Sequence, residues 1–121
     1  VELFAAKVLS VVMAVDASFL YWTELAAGTI VRCAIGGCAK APETIASGQA
    51  GPCCLAVDAA GLYWTNTGSR PAYDGAIMRL RPGDDAPVLL VSGLWWPQLL
   101  VLDSGYVDWG SGDLMTRRAP R

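Results

Sequence analysis

An all-β chain of tandem four-stranded antiparallel units is what the sequence predicts, on three observations. The phrase AVDASFLYWTE (Ala14 to Glu24) returns as AVDAAGLYWTN (Ala56 to Asn66) with eight of eleven positions identical, shifted by 42 residues (16 to 58). A repeat of that length is one supersecondary unit that needs a neighbour to bury its faces. Short runs rich in Val, Ile, Thr, Tyr and Trp alternate with Gly, Pro, Asp and Ser, and helix-period patterning is absent from them. The first run of each unit is apolar on both faces, so it requires cover on both.

Leu3-Phe4-Ala5-Ala6-Lys7 falls where Ile45 to Gln49 sits one repeat later, so residues 1–10 read as the last strand of a preceding unit. Residues 11–53 form a first unit, 54–98 a second and 99–121 a partial third, about 2.5 to 3 blades. In the second unit the strands are expected at Cys54 to Asp58, Leu62 to Thr65, Ala76 to Leu80 and Val88 to Val91, with Gly61, Gly68 to Gly75 and Pro82-Gly83 in the turns. VLDSGYVDWG (Val101 to Gly110) is a worn third copy, keeping the six-residue interval from Asp103 to Trp109. Gly28-Thr-Ile-Val-Arg32 recurs as Gly75-Ala-Ile-Met-Arg79, and Gly112-Asp-Leu-Met-Thr116 is aligned with them as the third copy.

A first strand apolar on both sides is expected for the innermost strand of a propeller blade, squeezed between two neighbours. Tyr and Trp at consecutive strand positions point to opposite faces. Each YW pair therefore sends one ring towards each adjacent blade. Closed propellers have about four to eight blades, so two full units and parts of two others do not close a ring. Either the chain is a segment of a longer propeller, or copies associate, or apolar blade faces stay exposed; the first is the expectation adopted.

In its AVD at 14 to 16 and 56 to 58, LYWT at 20 to 23 and 62 to 65, and G-x-I-x-R at 28 to 32 and 75 to 79, the sequence resembles the YWTD and NHL-like β-propellers. It is most similar to bacterial secreted or envelope proteins with LAVD...LYWTN repeats. The resemblance implies an incomplete propeller, typically six-bladed when whole, in an extracellular or cell-envelope setting. Glu24 and Asn66 stand where the motif has Asp, so the contacts of that aspartate are not transferred. In the third unit Asp108 replaces Tyr and Gly110 replaces Thr.

Cys33 and Cys38 flank Ala34 to Gly37 at the hairpin between third and fourth strands, where a tight turn brings their β-carbons within disulfide reach. The matching positions of the second unit are Leu80 and Asp85, so the fold does not depend on that bridge. Cys53-Cys54 lies at the other end of the blade. Packing as small apolar residues, a vicinal bridge, or a partner elsewhere are all open for it. A C-x4-C with an adjacent pair is not a familiar zinc spacing, and the chain has no histidine to complete a mixed site. Asp16, Asp58 and Asp103 end the first strands; capping of their own turns is the expected role, a calcium-binding carboxylate ring the alternative. No metal and no cofactor is predicted.

Apolar residues make up 54% of the 121 positions and the net charge is -2, without a basic block, so neither disorder nor nucleic-acid binding is expected. Ala86 to Leu102 is short of a bilayer span and broken by Gly93, Pro97 and Gln98, so no membrane span is expected. Val1 is not a start methionine, and Glu2 and Lys7 interrupt any signal-like core; the chain reads as a mature or excised segment. The absence of histidine removes the usual general base near neutral pH.

Candidate binding residues lie where the repeats differ. Trp64 to Gly75 spans eleven steps against six from Trp22 to Gly28, which places extra residues around Ser69 to Asp74, and Trp95-Trp96 replaces Ala50-Gly51. Second-to-third and fourth-to-first connections emerge on one face of an antiparallel blade, so both irregularities share a rim. Arg70, Tyr73, Asp74, Trp95 and Trp96 are the expected contacts for a protein or small ligand, residue types that anchor interfaces; filling of an inter-blade gap is the competing role of the two tryptophans. The expected function is a non-catalytic interaction scaffold. The alternative is a segment of a lactonase- or lyase-like propeller enzyme whose catalytic residues lie elsewhere.

Overall fold

The structure, a computed structural model, describes residues 12–69, 72–113 and 115–121. The expected last strand of a preceding unit and the candidate Arg70 lie outside them. Among the described residues there is no helix, and eleven strands form three antiparallel sheets. The first sheet holds β1 (Met13–Val15), β2 (Phe19–Glu24), β3 (Thr29–Ala34) and β4 (Glu43–Ala46), in that order. The second holds β5 (Pro52–Asp58), β6 (Gly61–Asn66), β7 (Gly75–Leu80) and β8 (Val88–Leu94). The third holds β9 (Gln98–Leu102), β10 (Tyr106–Gly110) and β11 (Thr116–Pro120).

These are propeller blades, and the alternation of side chains explains their stacking. Leu55, Val57 and Trp64 of the second blade meet Ala14, Tyr21, Ile30 and Ala46 of the first in one core. Leu100, Leu102, Val107 and Trp109 of the third blade close on Ile77, Leu90, Val91 and Leu94 of the second. Trp64 and Trp109 thus face the preceding blade, while Tyr21 and Tyr63 face the following one; Trp64 and Tyr63 are 0% and 1% exposed. One phrase serves two interfaces because period-two geometry parts its neighbours.

Side-chain hydrogen bonds tie the blades together here, although Asn66 Oδ1 is buried without a partner among the described residues. Gln49 Oε1 accepts from Trp64 Nε1 at 3.1 Å and from Asn66 Nδ2 at 2.8 Å, tying the linker between blades to β6. Thr23 Oγ1 donates to the Cys53 carbonyl at 3.4 Å, and its counterpart Thr65 Oγ1 accepts from Cys54 N at 3.3 Å. Glu24 and Asn66, the departures from the motif, bond Thr29 and Gln49 respectively.

One alignment is corrected. The third copy of the third strand is Thr116–Pro120, with Asp108 opposite Arg118, as Tyr21 is opposite Arg32 and Tyr63 opposite Arg79. Gly112 to Thr116 is instead mostly the β10–β11 turn, closed by Ser111 N donating to the Met115 carbonyl at 2.9 Å. Gly112 stands six residues before Arg118, where Gly28 and Gly75 stand four before Arg32 and Arg79.

Candidate functional site

The turn aspartates act on their own backbone. Asp16 Oδ1 accepts from Ser18 N and Phe19 N, both at 2.8 Å, Asp103 Oδ1 from Gly105 N and Tyr106 N at 3.0 and 2.8 Å, and Asp58 Oδ1 from Ala60 N at 2.9 Å. Burial pushes the Asp16 carboxyl up, but the two amides, the Tyr21 hydroxyl and the charge of Arg32 outweigh it and hold the group below its ordinary value. Among the described residues no group of three His, Cys, Asp or Glu side chains is placed to hold a metal ion.

The Cys33–Cys38 disulfide staples the β3–β4 hairpin with Cα atoms 5.4 Å apart. Cys53 and Cys54 are free thiols whose sulfurs lie 2.7 Å apart. Hydrogen bonding from Cys53 lowers Cys54 to about 6 against opposing burial, while the same bond pushes Cys53 up. The pair therefore gives up its first proton readily and holds the second.

On the rim formed by the β2–β3, β4–β5, β6–β7, β8–β9 and β10–β11 connections, the structure brings Tyr73 and Trp95 together, ring centroids 6.5 Å apart. They flank a cavity of about 230 Å³ completed by Gly93, Leu94, Ser111, Asp113 and Arg117. Tyr73 is 70% exposed, and Arg117 pairs with Asp113 at 3.2 Å on the opposite wall. A methyl group at Gly112 would come within 3.0 Å of Trp95 Cζ3 and 3.1 Å of Trp96 Cβ, so both tryptophans lie against the β10–β11 turn. Trp96 has φ 47°, the left-handed conformation that its counterpart Gly51 adopts at 73°. A side chain there costs roughly 1–2 kcal/mol. Asp74 is occupied within its loop, accepting from Ser69 N at 2.8 Å and Ser69 Oγ at 2.7 Å, bonds that lower its pKa.

The opposite rim, formed by the β1–β2 and β3–β4 type connections, holds residues that were not anticipated. Arg118 forks onto Asp108 at 2.7 and 3.0 Å, reaches Asp103 at 3.0 Å and stacks 4.7 Å from the Tyr106 ring. Arg32 repeats the theme, 2.7 Å from Glu43 and 4.0 Å from the Phe19 ring centroid. Arg121 enters between the second and third blades and pairs with Asp58. Arg118 was detectable in the sequence, standing nine residues after Trp109 as Arg32 stands ten after Trp22. Arg121 was not, since no other unit has an arginine there.

No family model matches this chain, and no curated protein does. Among solved structures, a streptogramin B lyase superposes with a TM-score of 0.56 at 14% identity, over 91% of this chain and 40% of that one. The chain thus spans less than half the length of that β-propeller. The likeness is one of fold: three successive blades of an incomplete propeller.

Proposed function

We propose that the chain is a non-catalytic propeller segment of a secreted or cell-envelope protein, and that it works as an interaction scaffold through the Tyr73–Trp95 rim. The observation that carries this reading is the meeting of the two irregularities of the repeat, aromatic rings 6.5 Å apart over a shared cavity. Loops on one face of repeated units are where such folds place recognition, and rigid aromatics contribute area at little entropic cost. The backbone strain accepted at Trp96 fits a site kept for something other than folding. Asp74 serves there by shaping the loop.

The test is a screen of the chain on peptide and glycan arrays, followed by titration of hits against the Tyr73→Ala/Trp95→Ala variant. Loss of two such anchors should weaken binding roughly 30-fold or more, with the far-ultraviolet dichroism unchanged. Hits that bind the variant as well as the parent refute the rim assignment. For the compartment, the hairpin disulfide is the supporting observation; thiol labelling of protein taken directly from cells should find Cys33 and Cys38 blocked.

The end faces of the segment support completion by further blades. Met13 and Val15 are 48% and 60% exposed, and Leu99 and Val101 are 72% and 62% exposed. Their counterparts Leu55 with Val57, and Cys54 with Ala56, line the blade–blade interfaces. The second reading, a segment of a propeller enzyme, is favoured by the lyase identity of the structural neighbour. A stoichiometric metal in a longer form of the polypeptide would favour it over the scaffold.

A further inference from the structure

At the end of the blades opposite the Tyr73–Trp95 rim, one niche recurs between successive blades. Its parts are the turn aspartate and the tyrosine of one blade, and the carbonyl of the next blade's turn aspartate. The aspartate spends Oδ1 on its own turn, which leaves Oδ2 for something else.

Between the second and third blades that something is a guanidinium. Arg121 pairs with Asp58 Oδ2, its Nε donates to the Tyr63 hydroxyl at 3.3 Å, its carbon lies 5.0 Å from the centroid of the Tyr63 ring, and Nη1 donates to the Asp103 carbonyl. The side chain is only 8% exposed. The hydrogen bond to Asp58 raises its pKa against burial, so the guanidinium stays charged in place.

Between the first and second blades the same parts are present: Asp16, Tyr21 and the carbonyl of Asp58. The strand register, Leu62 opposite Leu80 and Val107 opposite Ala119, makes Pro82 the counterpart of Arg121. Proline supplies no cation. A cavity of about 530 Å³ lies there, walled by Asp16, Tyr21, Val57, Asp58, Leu80 and Pro82. Asp16 forms no ion pair among the described residues, and its Oδ2 accepts the Tyr21 hydroxyl at 2.9 Å. Arg32, on the same wall, is held by Glu43 and the Phe19 ring; its charge acts on Asp16 and Tyr21 from the side, but it forms no ion pair with Asp16.

We propose that this niche is a receptor for an arginine side chain presented by a partner polypeptide. Five carboxylates, Asp16, Glu43, Asp58, Asp84 and Asp85, line the cavity; with Arg32 on Glu43, Arg121 on Asp58 and Arg81 nearby, carboxylates still outnumber guanidinium groups and the field favours a cation. A planar guanidinium matches the geometry better than an ammonium, since it stacks on a tyrosine ring while its fork reaches a carboxylate and a carbonyl. The cavity is larger than one guanidinium needs and falls in the range of ligand sites. The occupant therefore brings neighbouring residues with it. On entry the guanidinium takes Asp16 Oδ2, and the Tyr21 hydroxyl turns acceptor, as Tyr63 does beside Arg121.

The test is an amide-resolved NMR titration of the chain with a blocked alanine-arginine-alanine tripeptide, its lysine analogue and guanidinium chloride. The arginine peptide should saturate with shifts confined to Ser18, Phe19 and Gly61. Asp16→Asn, which keeps the turn cap and removes the charge, should weaken it about tenfold. Pro82→Arg provides the guanidinium from within the chain; it should abolish binding and place the Ser18 and Phe19 amides where the bound parent has them. It leaves the Asp16 turn untouched, so it decides the matter if Asp16→Asn fails to fold. Equal binding of the lysine peptide, or unchanged binding to Asp16→Asn or Pro82→Arg, would overturn the proposal. Guanidinium chloride matching the tripeptide at equal concentration would overturn the polypeptide partner. The Tyr73→Ala/Trp95→Ala variant should bind the tripeptide normally, so the two sites stand or fall separately.

Discussion

Replacing Trp64 by phenylalanine tests the blade–blade interface at its centre. Trp64 is 0% exposed, and its Nε1 donates to Gln49 Oε1 at 3.1 Å. The substitution removes about 40 Å³ of side chain, which at about 24 cal/mol per Å³ of cavity costs about 1 kcal/mol. Lost transfer free energy adds roughly 0.5–1 kcal/mol. The hydrogen bond contributes about 1 kcal/mol more. Gln49 Oε1 keeps its bond from Asn66 Nδ2 at 2.8 Å, so no buried acceptor is orphaned and the total stays near 2–3 kcal/mol. In equilibrium urea unfolding followed by circular dichroism, that should lower the midpoint by roughly 1 M at unchanged slope. Gln49→Ala instead strands the indole N–H in a dry interface, costing about 1–3 kcal/mol, and it should be non-additive with Trp64→Phe. A Trp64→Phe penalty below about 0.5 kcal/mol would mean that Trp64 is not sandwiched between blades, and strict additivity with Gln49→Ala would mean that the Gln49 bridge is not formed.

The Cys33–Cys38 bridge closes only a short loop, so its reduction should cost about 2 kcal/mol and leave the far-ultraviolet dichroism unchanged, because the second blade makes the same hairpin with Leu80 and Asp85. Alkylation by iodoacetamide should modify one thiol of the Cys53–Cys54 pair at a rate that rises through pH about 6, while the second proton is held. Acidification should destabilise the chain. For Asp58 burial acts upward but the hydrogen bond from Arg121 prevails, and Asp16 is lowered likewise. Both folded values lie below the ordinary 3.8, so their contribution is complete above that pH and is lost as the pH falls through the folded values. Urea midpoints at pH 7 and pH 3 should show the fall, and Asp58→Asn should flatten part of it; a midpoint that rises on acidification contradicts the assigned contacts.

The parts of the fold that could be read beforehand were those governed by period-two geometry and by repetition. Tyr and Trp at adjacent positions had to part to opposite faces, and the first strands, apolar throughout, had to be covered twice; Leu55 and Val57 against the first blade show this. The hairpin disulfide followed from local spacing alone. Arg118 was missed because the alignment followed Gly112, which stands six residues before that arginine instead of four, rather than the residue opposite Asp108, fixed by strand register. Gln49 gave no periodic signal, its counterpart being Leu94. Of the candidate rim, counting loop residues put Tyr73 and Trp95 on one face, where Tyr73 is exposed and Trp95 half-buried, but the engagement of Asp74 with Ser69 belongs to a loop conformation that no count specifies.

Repetition also separates what folding needs from what it does not. Where all units carry the same residue, one interface geometry explains it: the tryptophan facing backwards, the aspartate capping its turn. Where a position is filled differently in successive blades, burial alone does not choose the residue. Left-handed backbone is free for Gly51 and strained for Trp96, and the same inter-blade niche is closed by Arg121 in one place and open beside Pro82 in the other. A cavity lined by charge is costly to leave poorly solvated, and filling it would have required one arginine codon at position 82. The fold shows at Arg121 that such a residue is accommodated, so the open copy is not forced by the architecture. That makes the departures between blades, on both rims, the places where an outside group has the most to contribute.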